Sequence, residues 1–310
     1  MLGVISHDAG GAEVLSAYVK ANPHKNVKYF LKGPAVKIFQ KQGLVNDNYH
    51  YQGSLTKEFT HLLLSMSWRD EITYEMLKKS KELGIQTEVI LDSWYDYAQR
   101  FGSPKPGWES ILPDAITVVD SVAEKIVYKV GLDKHCNINK VTNYYLESLK
   151  DEYKTFDVVE SECNDLLYLS APLEEAKGAR LAEFATTKTT QFDLLRDISS
   201  ICRDANITLR IRLHPSENRR NIDKYLDMID CNFIISENQS ILYDFQNAKF
   251  VLGYSSLALI QGSVLGKISI SYQKGDIKDL FNWNEYGVYS YYGIKRATNL
   301  NQIEKIISEK

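Results

Sequence analysis

Short apolar runs alternate with longer amphipathic stretches along the whole chain, and this alternation narrows the possible folds more than any other feature. In the first half the runs are LGVIS (2–6), VKYFL (27–31), HLLLS (61–65), TEVIL (87–91) and ITVVD (116–120). Helical patterns such as AEVLSAYVKA (12–21) and YEMLKKSKELG (74–84) lie between them, the second stopping on Gly84. In the second half DLLYLS (165–170), ITLRIRL (207–213), NFIIS (232–236), FVLGY (250–254) and ISISY (268–272) repeat the pattern, with helices expected at 189–205, 218–229 and 256–265. Strands buried on both faces read as continuous apolar runs, and helices between them make parallel sheets. The expected class is therefore α/β, with two Rossmann-like doubly wound domains facing a cleft. The domains are expected at 1–150 and 164–310, joined by an acidic, weakly periodic segment near 150–163. The closing run NLNQIEKIISEK reads as a terminal helix able to pack back on the N-terminal domain.

A length of 310 residues agrees with two domains of ordinary size. The net charge of −3 gives no broad basic footprint, so nucleic acid is not an expected partner. The local cluster RLHPSENRR can still meet a single phosphate. Cys136, Cys163, Cys202 and Cys231 form no CxxC pair, which leaves a zinc or redox motif unsupported and suits a reducing cytoplasm. The N-terminus lacks the regions of a signal peptide, and no apolar run is long enough to span a bilayer. The expected location is the cytoplasm, with peripheral contact at the inner face of the membrane allowed. The tyrosine-dense WNEYGVYSYY (283–292) reads first as half-exposed loop tyrosines and second as a carbohydrate-facing surface.

Ligands of doubly wound sheets bind at the carboxyl ends of strands, so the residues after each strand are the candidates. After the first strand comes SHDAGGAE, where Gly10 and Gly11 are expected to allow a tight turn with positive φ. Asp8 is suited to act as general base and His7 to share or position its proton; alternatively Asp8 only caps the helix. The glycines do not form GxGxxG, which argues against a dinucleotide site. After the fourth strand comes LDSWYDYAQRF. Asp92 stands at the strand end, Trp94 and Tyr97 are placed to stack on a sugar, and Asp96 and Arg100 are spaced to pair on a helix. The alternative is a packed aromatic turn with a surface ion pair.

In the second half, His214 and Pro215 close a strand whose Arg210 and Arg212 share a face. His214 is suited to donate to a phosphate oxygen, and Glu217 to accept from a ribose or base. After FVLGY, Ser255 is the expected cap of a helix, and Ser255 and Ser256 with free N–H groups make a phosphate site. Each feature alone reads as a strand end or a cap. Together they form two walls at one sheet edge.

LHPSE followed by LYDFQNAKFVLGYSSLALIQGSVLGK resembles the donor-binding half of bacterial GT-B glycosyltransferases, most closely those using CMP-linked sugars such as sialic acid or Kdo. The resemblance is specific over 205–272. It implies that His214 and Pro215, with Ser255 and Ser256, hold the nucleotide phosphate; Glu217, Gly253 and Tyr254 complete the candidate nucleotide-binding set. The acidic-acidic-glycine motif typical of the sialyltransferases has no counterpart here; Asp8 and Asp92 stand nearest to it. The activity this resemblance implies is that of an inverting, metal-independent glycosyltransferase with no cofactor. Such an enzyme would move a sugar from a cytidine nucleotide to a glycan acceptor of a surface polysaccharide such as lipopolysaccharide or capsule, with Gly10, Gly11 and Trp94 on the acceptor side. A CDP-polyol phosphotransferase, a nucleotide-sugar epimerase and a non-catalytic nucleotide- or glycan-binding protein are the alternatives.

Overall fold

A computed structural model describes residues 1–309 apart from 52, 67–70, 157–163, 174–188, 215, 216, 218–221, 239, 276–278 and 280. The chain divides into two compact units, Met1–Ser148 and Leu149–Lys310. The boundary falls inside a helix, Tyr144–Tyr153, so the start of the expected linker is helical. Leu146 and Leu149, three apart, bury its apolar stripe. Residues 157–163 of that segment lie outside the described residues.

The N-terminal unit is built on six parallel strands: β1 (Leu2–Ser6), β2 (Val27–Leu31), β3 (His61–Ser65), β4 (Gln86–Ile90), β5 (Ala115–Val118) and β6 (Asn137–Lys140). Their order is β2-β1-β3-β4-β5-β6. The C-terminal unit has β7 (Asp165–Leu169), β8 (Leu209–Arg212), β9 (Phe233–Ile235), β10 (Ala248–Gly253), β11 (Ile268–Tyr272) and β12 (Lys295–Ala297). These are also parallel, in the order β12-β11-β10-β7-β8-β9. In each sheet the chain runs outward from its first strand and then returns to that strand's other side. This puts topological switch points between β1 and β3 and between β7 and β10, where doubly wound sheets open a crevice at their carboxyl edge.

Local chemistry agrees with these elements. Gly84 takes φ +68° after the helix Glu71–Leu83, and Ile85 N–H reaches back to Ser80 O at 2.9 Å, closing the helix end. Thr190 and Asp193 form a reciprocal capping box on the helix Gln191–Asp204. The last helix, Leu300–Ser308, buries Ile303 and Ile307 in the same cluster as Ile198 and Ile201. It therefore closes the C-terminal core. No helix among the described residues is long and apolar enough to cross a membrane.

Cys202 of the helix Gln191–Asp204 forms a thiol pair with Cys231, which precedes β9. Cys202 is fully buried and its S–H donates to the Cys231 sulfur, which Ser199 Oγ approaches at 3.5 Å. The shared proton stays with Cys202, whose pKa rises through this bond and burial, and Cys231 is lowered to about 7. Burial pushes the Cys136 thiol the other way, to about 11. The thiolate is the nucleophile, so iodoacetamide is expected to label Cys231 with a midpoint near pH 7 and Cys136 only at much higher pH. Peptide mapping after a pH series reads this directly; labelling of Cys136 ahead of Cys231 contradicts it.

Candidate functional site

At the N-terminal switch point, Ser6 Oγ and Ser65 Oγ share a 2.8 Å hydrogen bond across the ends of β1 and β3. The chain then turns at His7 and Asp8 into the helix Ala9–Ala21. Asp8 is its N-cap: the carboxylate accepts from Gly11 N–H at 2.9 Å. Gly10 and Gly11 do not adopt positive φ, contrary to expectation; they belong to the helix's first turn. Their lack of a side chain serves close approach instead. A Cβ on Gly11 would stand 2.6 Å from Ser65 Cβ, and one on Gly10 would stand 2.6 Å from Asp92 Oδ2. The glycines thus let the helix start sit directly on the ends of β3 and β4, and they bring Asp8 and Asp92 to one edge. The half-buried His7 ring lies beside Gly33, whose Cβ would meet Nε2 at 3.1 Å. No hydrogen bond ties that ring to a described residue.

Asp92 is committed elsewhere. Arg100, 5% exposed, donates from Nη1 to Asp92 Oδ1 at 2.5 Å and to Met66 O at 2.7 Å, and from Nη2 to Ser93 Oγ. Burial disfavours the guanidinium charge, but the Asp92 carboxylate, with Tyr95 and Tyr97, acts against this and the arginine pKa is raised. The expected Asp96–Arg100 pair is corrected to Asp92–Arg100; Asp96 takes the left-handed conformation, φ 54°, at the head of the short helix Tyr97–Arg100. Trp94 and Tyr97 are also corrected as sugar-stacking residues. Both are buried, and Trp94 Nε1 donates to Asp120 Oδ2 at 2.8 Å while Asp120 Oδ1 caps the helix Ser121–Lys129. This is the packed aromatic turn of the alternative reading.

In the C-terminal unit His214 is exposed just past β8, and Pro215 lies outside the described residues. Although its surface is open, protein packed around the imidazole partly desolvates it and lowers its pKa, with the Glu217 charge working the other way. Glu217 is buried, not presented to a ribose. One carboxylate oxygen accepts from Ser170 Oγ (2.8 Å) and from the Tyr225 hydroxyl, and the other from His214 N–H at 2.7 Å. Its role is to pin the His214 backbone to the end of β7. Arg210 and Arg212 share a face of β8 as expected, but they pair with Asp165 (2.8 Å) and Asp244 (2.6 Å) and so are spent on internal charges.

At the C-terminal switch point β10 delivers Gly253, Tyr254, Ser255 and Ser256. A Cβ on Gly253 would stand 3.2 Å from Leu169 O, so this glycine lets β10 lie close against β7. Tyr254 is buried and its carbonyl accepts from Ser271 Oγ at 2.5 Å. The cap of the helix Leu257–Val264 is Ser256, one residue later than expected, with its hydroxyl accepting from Ala258 N–H at 3.2 Å. Ser255 instead meets the Tyr289 hydroxyl at 2.9 Å and Gln273 Nε2 at 3.4 Å. His214 and the serine pair lie at the same sheet edge with β7 between their strands, a lateral separation of about 10 Å.

No family model and no curated protein sequence matches this chain. Solved structures match its fold. The UDP-GlcNAc 2-epimerase from Methanocaldococcus jannaschii does so with a TM-score of 0.64 over 99% of this chain and 91% of its own, at 15% identity. The UDP-GlcNAc 2-epimerase from Neisseria meningitidis, bound to UDP-GlcNAc, gives 0.60 over 98% and 90%, at 11% identity. Acinetobacter baumannii MurG gives 0.51 over 99% and 93%, at 9% identity. The fold is GT-B. At such identities the likeness is one of architecture.

Within this GT-B chain, sequence reasoning overlooked Gln273 and Arg296, and it read Tyr289 only as one tyrosine of WNEYGVYSYY. Gln273 Nε2 donates to the Tyr289 hydroxyl at 2.7 Å, and Arg296 Nε donates to Gln273 Oε1 at 2.9 Å. One signal was present. ISISYQ puts Ser269, Ser271 and Gln273 on one face of β11, where a strand buried on both faces should be apolar; all three are buried.

Proposed function

We propose that the protein is a sugar-nucleotide enzyme that transfers a glycosyl group from a uridine diphosphate sugar to a hydroxyl acceptor. The observation that carries this reading is the Ser256-capped helix start at the C-terminal switch point of a GT-B chain. Its N–H groups and the Ser255 hydroxyl suit a phosphate. The M. jannaschii and N. meningitidis neighbours are named for UDP-GlcNAc, which supports a uridine nucleotide; the comparisons give the cytidine donor expected from the sequence no support.

The division of labour follows the two units. The C-terminal unit holds the nucleotide. The N-terminal unit supplies the base, and His7 suits that task better than the two aspartates. Asp8 holds a helix start and Asp92 neutralises Arg100, whereas the half-buried His7 imidazole is tied to no described residue. His7 accepts the acceptor's hydroxyl proton as the oxygen bonds to the anomeric carbon. The bond from that carbon to the phosphate oxygen breaks, and its electron pair leaves with UDP, inverting the centre. The N–H groups at the start of Leu257–Val264 meet the charge that develops on the leaving phosphate.

Epimerisation of the same donor is the second reading, favoured by the higher TM-scores of the epimerases, 0.64 against 0.51 for MurG. It needs no acceptor and moves a C–H proton. Thermal unfolding with UDP, CMP and CDP tests the nucleotide. UDP at a hundred times its Kd is expected to add about 2.7 kcal/mol of stability, with no matching shift from CMP. Stabilisation by CMP alone overturns the uridine assignment. Incubating UDP-GlcNAc in D2O then separates the chemistries: deuterium in the recovered sugar nucleotide without acceptor means epimerisation, and acceptor-dependent UDP release means transfer.

A further inference from the structure

Polar side chains buried in a sheet need partners, and those of β11 have them in one connected set. Ser271 Oγ donates its single proton to Tyr254 O at 2.5 Å. Gln273, 1% exposed, lies just past the strand and touches three side chains at once. Arg296 Nε–H can only donate, so the Gln273 atom it meets is the amide oxygen, and the amide nitrogen faces Tyr289 and Ser255. One amide proton goes to the Tyr289 hydroxyl at 2.7 Å and the other lies toward Ser255 Oγ at 3.4 Å.

The Tyr289 oxygen therefore accepts, and its own proton has Ser255 Oγ at 2.9 Å as its acceptor. Desolvation raises the Tyr289 pKa, so the phenol keeps that proton. The buried Trp283 packs edge-on against the ring at 5.9 Å and holds it in place. Counting protons around the set leaves Ser255 as an acceptor from within, with its own hydrogen directed away. Arg296 ends in the same condition. Its Nε is anchored on Gln273, the residue is exposed, and its two terminal nitrogens bond to no described residue. β10, β11 and β12 are neighbours in the sheet, and Arg296 is in register with Ser271.

We propose that Arg296, anchored by Gln273, is a nucleotide-phosphate-binding residue acting beside Ser255, and that Gln273 and Tyr289 are positioning residues that turn the Ser255 hydroxyl outward as a donor. The proposal rests on the sugar-nucleotide reading of the same site. An anion meets a hydroxyl donor and a guanidinium whose orientations are set before it arrives, so little side-chain entropy remains to be lost on binding. Charge-assisted contacts to phosphate are the stronger class of hydrogen bond.

Calorimetric titration of the full chain with UDP, uridine and pyrophosphate tests this. Arg296→Ala is expected to weaken UDP about 10- to 100-fold, to flatten the salt dependence of binding, and to leave uridine unchanged; Arg296→Lys recovers part of the loss. Gln273→Leu keeps the arginine but frees it, and is expected to weaken UDP by a smaller factor with its salt dependence retained. UDP binding to Arg296→Ala with unchanged affinity and salt dependence overturns the proposal and leaves the nucleotide reading standing. Pyrophosphate binding that depends on Arg296, in a wild type that binds UDP no better than pyrophosphate, keeps the anion site and overturns the nucleotide. A wild type that binds neither overturns both.

Discussion

Arg100→Ala is expected to destabilise the N-terminal unit by about 3–5 kcal/mol, the range found when one partner of a buried ion pair is removed. The guanidinium satisfies three acceptors, Asp92, Ser93 and Met66 O, and is flanked by the Tyr95 and Tyr97 rings at 5.3 and 5.9 Å. Alanine leaves the Asp92 side chain, 13% exposed, as an uncompensated charge beside Gly10, and it leaves the Met66 carbonyl without its donor. Domains are stable by only about 5–15 kcal/mol, so the loss is a large share of the total. Urea unfolding followed by tryptophan fluorescence reads it, since Trp94 is buried next to this cluster. Adding Asp92→Asn to the alanine variant removes the stranded charge and is expected to recover part of the loss. A cost below about 1 kcal/mol for Arg100→Ala matches an exposed ion pair and contradicts the account.

The same cluster shows where sequence reading stops. Most of the ten apolar runs were legible because parallel strands buried within a sheet carry their signal locally, and β9, an exposed edge strand, was legible because its residues FII are themselves apolar. β6 and β12 were not, because NINK and KRA are short edge strands with mostly exposed side chains and no apolar run to announce them. Polar candidates misled for the opposite reason. Glu217 and Trp94 follow strands and look available, but their partners, Ser170 and Asp120, lie 47 and 26 residues away along the chain. Nothing local distinguishes a polar group offered to a ligand from one satisfied by distant protein. The cap at Ser255 or Ser256 was ambiguous by one residue. Which serine caps depends on where the backbone leaves the extended conformation, and Ser256, at φ −153° and ψ 144°, is the last extended residue. ISISYQ stood apart because its alternation conflicts with the environment its neighbours imply. Functional or strained sites are where such conflicts between local pattern and global fold are expected.

His7→Ala is expected to lower turnover by about 10²- to 10⁴-fold, the contribution of a general base, while UDP affinity in the thermal-shift or calorimetric assay stays unchanged. Stability should barely move, since the ring is half-buried and bonded to no described residue. Asp8 provides the contrast. Asparagine caps a helix about as well as aspartate, so Asp8→Asn keeps the bond from Gly11 N–H and most of the activity if Asp8 acts through the helix start alone. Asp8→Ala loses the cap at about 1 kcal/mol and with it the fixed position of the residue before it. Gly33 supplies a third arm. Its φ of +54° disfavours any side chain, and a Cβ there would stand 3.1 Å from His7 Nε2. Gly33→Ala should therefore displace the imidazole and reduce turnover without touching the nucleotide. If Asp8→Asn abolishes turnover while His7→Ala spares it, the base is the carboxylate. Oδ2 can then keep the bond from Gly11 N–H while the other carboxylate oxygen takes the proton.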